Sequence, residues 1–161
     1  MTTKVNLYWK QFIDSLPAFE KTLPVLAGCD SFGFTEEDAR TIADLVLRGT
    51  KTATGSLLWS YEADGECVPQ VGDFWIITEG HDDPVCVIET IDQRIIPFDQ
   101  VPPDYAWEGG EGDRTVEAWR KIYWQLIQEE CARIGRVPSE QAPLVMERFR
   151  VVYKEPLRPD V

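Results

Sequence analysis

The run of residues from Gly49 to Thr54 combines side chains that could bind a polar ligand. It reads Gly-Thr-Lys-Thr-Ala-Thr, so one ammonium group stands among three hydroxyls. Hydroxyls both donate and accept hydrogen bonds, Lys51 adds a positive charge, and the glycine permits a tight reversal. We therefore take Thr50, Lys51, Thr52 and Thr54 as candidate site residues. The alternative is a polar strand entry with a solvated lysine, because the run lacks the spacing of a nucleotide-binding P-loop.

A second candidate is the acidic, glycine-rich segment 108–113, which reads Glu-Gly-Gly-Glu-Gly-Asp. Its carboxylates, on Glu108, Glu111 and Asp113, could act as general acid, general base or hydrogen-bond acceptor. The segment is a poor phosphate cradle, since carboxylates repel phosphate. The alternative is a flexible acidic loop in which Asp113 caps the helix that follows.

Aromatic residues near these segments could stack on a nucleobase. Trp107 adjoins the acidic segment and is the main candidate, and Tyr61 and Tyr105 are weaker ones. Trp9 and Trp119 instead fall on apolar helical stripes, so we predict that they belong to the core.

Two acids, Glu89 and Glu147, lie inside otherwise apolar strand runs. The alternation of side chains along a strand favours a solvent-facing position for both. The alternative is a buried carboxylate paired with a cation or a hydroxyl. The single histidine, His81, lies in a Gly-His-Asp-Asp turn, and we interpret it as an exposed turn residue without a catalytic role.

The overall charge limits the possible partners. With 16 basic and 28 acidic residues among 161, the formal net charge is −12. A general nucleic-acid binder gains affinity from lysine and arginine contacts to phosphates. The acidic balance therefore favours a small ligand or a short single strand over a duplex. The net charge does not specify how the charges are distributed over the surface.

The cysteines and the N-terminus indicate the compartment. Cys29, Cys67, Cys86 and Cys131 form no CxxC pair, and with one histidine they make no zinc pattern, so we expect neither metal nor cofactor. We interpret the cysteines as reduced core residues of a cytoplasmic protein. The N-terminus enters an amphipathic stretch rather than an apolar signal segment, and no apolar run is long enough to span a membrane.

Periodicity and capping signals predict the elements that must position these residues. Helices are expected over 4–16 and 36–48, the second with Thr35 as its N-cap and Gly49 just after its C-cap. Between them we expect a loop through Gly28 and Gly33. Strand-favouring runs cover 52–61, 74–78, 85–91 and 145–153, and a long helix runs to about 133 before Gly135.

This order of elements predicts a single α+β domain over residues 1–161. Its N-terminal helices would span about 4–48, and a small, mostly antiparallel β-barrel would span about 50–105 and 143–154. The long helix would span about 114–133 and flank the barrel.

Short segments, in this order along the chain, resemble the ASCH family, whose fold is similar to the PUA domain. They are residues 9–12, 47–54, 69–73, 87–90, 110–113 with Trp119-Arg120, and 147–149. The resemblance implies a PUA-like barrel flanked by helices and a role in binding RNA or modified nucleosides.

Some ASCH proteins are amidohydrolases that remove the acetyl group of N4-acetylcytidine with a threonine nucleophile, a lysine and a glutamate. By this resemblance the lysine is Lys51 and the nucleophile is Thr54. Residues three apart in a regular strand point to opposite faces, so the two side chains can meet only if the chain bends or if Lys51 precedes the strand.

The chain departs from the family pattern at two positions. Gly109 stands where relatives commonly carry the first glutamate, so either Glu108 or Glu111 replaces that acid or its role is lost. Tyr123 stands where relatives tend to carry a histidine, and we therefore expect no histidine-dependent step.

Three functions remain open from the sequence. The first is an amidohydrolase that acts on an N4-acylated cytosine nucleoside with Thr54, Lys51 and one of the two glutamates. The second is a binding protein for short single-stranded RNA, with or without metal-independent ribonuclease activity; its phosphate patch would contain Lys51, Arg48, Arg94, Arg114 and Arg120. The third is a PUA-like domain with a structural or protein-binding role. The oligomeric state is not predicted.

Overall fold

The computed structural model describes residues 1–18, 22–80 and 82–155, so the predicted exposure of His81 lies outside the described residues. The described residues form five α-helices and five strands. In chain order they are α1 (Thr3–Ser15), β1 (Leu26–Asp30), α2 (Glu36–Leu47), β2 (Ala53–Leu57), α3 (Leu58–Asp64), β3 (Phe74–Glu79), β4 (Asp83–Pro97), α4 (Pro103–Gly109), α5 (Val116–Ile134) and β5 (Pro143–Lys154), with a 3-10 turn at Phe98–Gln100 before α4.

The five strands form one mixed sheet in the order β1-β3-β4-β5-β2. β1 runs parallel to β3, whereas β3–β4 and β2–β5 are antiparallel. The α+β class is therefore confirmed, but the closed antiparallel barrel is wrong. A barrel requires the two terminal strands to pair, and in the described residues β1 and β2 are the ends of the order.

The chain divides into two compact units. The first contains Met1–Gly49, Gly72–Glu89 and the segment from Arg150, and the second contains Thr50–Val71 and Thr90–Phe149. Strands β4 and β5 contribute to both units because each passes from one to the other. All the candidate site residues of the two polar segments, from Thr50 to Asp113, belong to the second unit.

Two helices of the first unit form as their local signals predict. In α1, Val5, Tyr8 and Phe12 are buried at helical spacing and pack with Ile76 and Val87 of the strands. In α2, Thr35 and Asp38 form a reciprocal capping box, which satisfies two helix-end N–H groups. Gly49 follows the C-cap with a φ of 75°, a conformation that glycine adopts without strain.

Two elements differ from the prediction. Residues 26–30 form β1 where we expected a loop, and residues 58–64 form α3 where we expected extended structure. Both depend on distant partners: β1 acquires its hydrogen bonds from β3, and in α3 the Ser60 hydroxyl donates to Glu130 of α5 at 2.6 Å. Tertiary contacts of this kind override local propensity.

Helix α5 supports the core of the second unit. Thr115 caps it through the Ala118 N–H, and Gly135 ends it, as predicted. Its buried residues recur every four positions, which places them along one face. They are Trp119, Tyr123, Ile127 and Cys131, and they pack with Ala53, Leu57, Leu144 and Met146 of β2 and β5.

All four cysteines are free thiols, but only two of them lie in the core. Cys86 and Cys131 are buried, whereas Cys29 and Cys67 are exposed, so the prediction of four core cysteines is wrong for these two. Cys29 lies on the terminal strand β1, and Cys67 lies in the loop after α3, where less of the chain covers a side chain.

Every helix in the described ranges is too short or too polar to cross a membrane.

Candidate functional site

Lys51 is the centre of the candidate site, and its side chain is only 1% exposed. The ammonium Nζ donates to the carboxylate Oε2 of Glu111 at 3.1 Å and to the carbonyl oxygen of Gly109 at 3.3 Å. The solvated lysine that we considered as the alternative is therefore wrong. Strand β2 begins at Ala53, so Lys51 precedes the strand, which is one of the two geometries that let its side chain and that of Thr54 approach.

A close backbone contact between α4 and the Lys51 segment explains how the two polar runs meet. Gly110 has a φ of 71°, and a Cβ added there would lie 2.6 Å from the carbonyl oxygen of Thr50. Only glycine permits both that conformation and that approach. Two residues away, the Thr52 N–H donates to the Glu108 carbonyl at 2.8 Å, which fixes the register of the two segments.

The two glutamates of the acidic segment have different partners. Glu108 makes a two-pronged ion pair with Arg148, with distances of 2.5 Å from Nε to Oε2 and 3.3 Å from Nη2 to Oε1. That bond raises the pKa of Arg148 above its usual value. Arg148 also donates to Asp92 at 2.9 Å. The structure therefore brings Glu111, and not the Glu108 carboxylate, to the Lys51 ammonium.

Tyr123 joins this group through its hydroxyl. The hydroxyl oxygen accepts from the Gly55 N–H at 3.0 Å, and the Thr54 side chain lies near enough to lower the Tyr123 pKa. Burial raises the pKa of Tyr123, the charge of Lys51 opposes that rise, and the charge of Glu111 reinforces it. A Cβ on Gly55 would lie 2.8 Å from Cε1 of Tyr123, so the glycine allows the ring to reach the strand.

The sequence reasoning missed Tyr123 as a site residue. The resemblance gave Tyr123 only as the residue that replaces an expected histidine. That departure from the family pattern was the available signal, because a phenol in place of an expected polar ring suggests a hydrogen-bonding role rather than simple packing.

Glu147 is buried, contrary to the favoured solvent-facing interpretation. It is 6% exposed, accepts from the Thr90 hydroxyl at 3.3 Å, and lies opposite Thr54 in the β2–β5 ladder. Alternation fails here because residues 144–147 of β5 are all buried, so both of its faces are covered. Glu89 is half-buried and accepts from Arg150 Nε at 2.8 Å.

Trp107 remains the exposed aromatic residue next to the site, with 61% of its surface accessible. The guanidinium carbon of Arg114 lies 3.6 Å from the centre of its ring, which is a cation–π contact. Arg114 also donates to the carbonyls of Trp107 at 2.8 Å and Thr50 at 3.4 Å. These bonds hold Arg114 in a left-handed conformation with a φ of 64°.

The remaining predicted residues have varied environments. Asp113 is exposed and accepts from the backbone and hydroxyl of Thr115, which lowers the Asp113 pKa. The cap of α5 is Thr115 itself, so the capping role that we gave to Asp113 as the alternative is wrong. Thr50 and Tyr61 are half-buried, and Thr52 is exposed. Tyr105 is 2% exposed with Arg148 over its ring, so it offers no open face for stacking.

Three cations of the predicted phosphate patch are already buried or paired within the protein. Lys51 is buried, while Arg48 and Arg94 form ion pairs with Asp44 at 2.8 Å and Asp92 at 3.3 Å. Across residues 1–18, 22–80 and 82–155, no group of three or more histidine, cysteine or acidic side chains is arranged to hold a metal ion.

Comparisons with known proteins agree with this fold. The model of the ASCH domain family matches residues 28–153. The ASCH domain from Lactobacillus crispatus JV V101 is 34% identical, with a TM-score of 0.87 over 95% of this chain and 96% of that chain. Protein EF3133 from Enterococcus faecalis V583 is 28% identical, with a TM-score of 0.82 over 94% of this chain and 90% of that chain. Among curated proteins, no sequence matches significantly.

The family match covers most of the chain, including the Lys51 segment, the acidic segment, α5 and most of β5. The two structural relatives extend the similarity over nearly the full length of both partners. The chain belongs to the ASCH domain family.

Proposed function

We propose that the protein binds a modified nucleoside and hydrolyses its N-acyl amide, with N4-acetylcytidine as the representative substrate. The observation that supports this most is the pairing of buried Lys51 with Glu111 beside Thr54 and Tyr123. A nucleophile, a base and a group that orients the base are the parts that acyl transfer requires. The net charge of −12 favours an uncharged nucleoside over a polyanion.

In the first half of the proposed reaction, Glu111 takes one proton from the Lys51 ammonium across 3.1 Å. The Thr54 oxygen attacks the acyl carbon, and the Lys51 amine takes the hydroxyl proton. The bond between the acyl carbon and the exocyclic nitrogen then breaks, and the proton passes from Lys51 to that nitrogen. Cytidine leaves, and an acetyl ester remains on Thr54.

In the second half, water replaces cytidine as the attacking group. Lys51 takes a proton from the water, whose oxygen bonds to the ester carbon, and the bond to the Thr54 oxygen breaks. The proton returns to Thr54, and acetic acid leaves and gives up its remaining proton to the solvent as acetate. The Tyr123 hydroxyl, which also accepts from the Gly55 N–H at 3.0 Å, positions the Thr54 side chain through both halves.

The decisive experiment compares two variants of Thr54 with the wild type, using N4-acetylcytidine and following cytidine and acetate together. Thr54→Val keeps the shape but removes the nucleophile, so turnover should fall by about 10³-fold or more. Thr54→Ser retains a hydroxyl and should remain active. Unchanged turnover by Thr54→Val would rule out the threonine mechanism, and absence of turnover by the folded wild type would rule out this substrate.

Single-stranded RNA binding is a second candidate, which the exposed Trp107 ring under Arg114 favours. An aromatic face beside a cation is a common platform for unpaired bases. This function predicts affinity for a short RNA that falls steeply with salt, because phosphate contacts release counterions. If the protein binds no RNA at low salt, and its affinity for a nucleoside stays the same as salt rises, only the nucleoside function is left.

A further inference from the structure

The indole N–H of Trp119 is a buried donor that has no hydrogen-bond partner within the described residues. Trp119 is 5% exposed, and its ring is held between Phe98 and Tyr123, with ring centres 5.7 Å and 4.4 Å away. Buried polar groups in proteins are almost always paired, and an unpaired donor is costly. This donor therefore needs an explanation.

The space beside Gly109 lies against the same edge of the indole. A Cβ added to Gly109 would have Cδ1 of Trp119 at 3.7 Å, and apart from its chain neighbours and the backbone of its own helix no other described atom lies within 4 Å of it. Cδ1 is bonded to the indole nitrogen, so the N–H lies at the border of this space. The carbonyl of Gly109 accepts from Lys51 at 3.3 Å, so the ammonium lies on the other side of the same residue.

We propose that Trp119 Nε1 and the space beside Gly109 form a subsite for a neutral carbonyl oxygen of the ligand. The ligand group should be neutral because Glu111 already compensates the charge of Lys51. A carboxylate of the ligand would therefore have no cation of its own. A carbonyl oxygen accepts one N–H without bringing a net charge. The oxygen fits the gap that the absent side chain at position 109 leaves.

This assignment rests on the proposed function, in which the oxygen is that of the acyl group. When the Thr54 oxygen bonds to the acyl carbon, the carbonyl electron pair moves onto the oxygen, and the Trp119 N–H stabilises that charge. The pair returns as the bond to the exocyclic nitrogen breaks. The competing explanation is a single ordered water, which buried donors often hold.

The subsite can be tested with acetamide, the simplest neutral amide, in ¹⁵N-labelled protein. The chain has six tryptophans, and Trp119→Phe identifies the indole resonance of Trp119. Acetamide should shift that resonance saturably, whereas methylammonium chloride at the same concentration, which offers no acceptor oxygen, should not. Trp75 is the matched control, because its buried indole nitrogen also has no partner in the described residues, but Gly28 packs directly on its ring.

Two substitutions at Gly109 provide a test that needs no ligand. Gly109→Asn carries its own amide oxygen into the space, so it should shift the Trp119 resonance in the free protein, abolish the acetamide response and raise KM at least tenfold. Gly109→Ala adds only a methyl group and should keep the acetamide response. If neither acetamide nor Gly109→Asn moves the resonance, the site holds water only and the subsite is overturned. If both move it but N4-acetylcytidine is not hydrolysed, the subsite stands and the proposed reaction fails.

Discussion

Lys51 and Glu111 form an ion pair of 3.1 Å across 60 positions of sequence, with side chains that are 1% and 18% exposed. A lysine ammonium this deeply buried requires a carboxylate partner, because an uncompensated buried charge is strongly destabilising. Of the two glutamates that the sequence left open as the acid beside Lys51, the structure therefore favours Glu111.

Glu111→Gln should reduce both turnover and stability. The amide can still accept a hydrogen bond, but it no longer balances the Lys51 charge or helps to move the proton. We expect turnover of N4-acetylcytidine to fall by about 10²-fold or more. The free energy of unfolding should fall by about 1–3 kcal/mol, measured by urea denaturation.

Glu108→Gln is the matched control for that variant. It weakens the ion pair with Arg148 and should lower stability, but the Lys51–Glu111 pair remains, so turnover should stay close to that of the wild type. The reverse pattern, with Glu108→Gln inactive and Glu111→Gln active, would show that the acid has been assigned to the wrong residue.

Tyr123→Phe tests the hydroxyl that accepts from Gly55 and lies beside Thr54. Its removal leaves the half-buried Gly55 N–H without that acceptor, so the free energy of unfolding should fall by about 1–2 kcal/mol. Turnover should fall as well, because the Thr54 hydroxyl loses its orientation. Tyr8→Phe is the control: it removes a buried hydroxyl that donates to Val85 at 3.0 Å in the other unit, and it should cost stability without changing turnover. Equal turnover in both variants would argue against a role for Tyr123.

Trp107→Ala tests the exposed ring as a stacking surface. The substitution should weaken nucleoside binding by about 1–3 kcal/mol, measured by titration calorimetry. It should change stability little, because the ring is 61% exposed. Trp59→Phe, at a second cation–π pair in which Arg136 lies 4.3 Å from the ring, should leave nucleoside affinity unchanged. Equal affinities for wild type and Trp107→Ala would exclude stacking on this ring.

Alkaline pH should destabilise the protein through Cys86. Burial raises the pKa of the Cys86 thiol from 9.0 to about 12, so between these values the unfolded chain loses a proton that the folded chain keeps. The free energy of unfolding must then fall as pH rises, by about 1 kcal/mol between pH 9 and 10 from this group. Urea denaturation from pH 8 to 10 should show a shallower slope for Cys86→Ala. Identical slopes would mean that the buried thiol does not titrate in this way.

Thiol labelling should distinguish the two classes of cysteine. Cys29 and Cys67 are exposed, and Cys86 and Cys131 are buried, so a thiol reagent should modify two groups in the native protein and four after denaturation. Substituting Cys29 and Cys67 by serine should abolish the fast native reaction. Rapid labelling of four thiols in the native state would contradict the burial of the other two.

Helices α1, α2 and α5 could be read from the sequence because their signals are local. The capping box at Thr35 and Asp38 and the four-residue stripe from Trp119 to Cys131 lie within single segments. Strand β1 and helix α3 could not be read, because their stabilising partners, β3 and α5, are distant in the chain. Closure into a barrel also depends on which strands pair, and no local pattern specifies that.

The sequence by itself determined the chemistry available to the site: a lysine among threonines, two nearby glutamates and the likeness to the ASCH family. Residue types and short spacings carry that information, since they do not depend on the path of the chain. Only the tertiary structure decided that Lys51 is buried against Glu111. It also decided that Glu108 forms an ion pair with Arg148, and that the Tyr123 hydroxyl lies beside Thr54. These pairings join segments about 40 to 70 positions apart, and such contacts arise from packing over the whole chain rather than from local propensity.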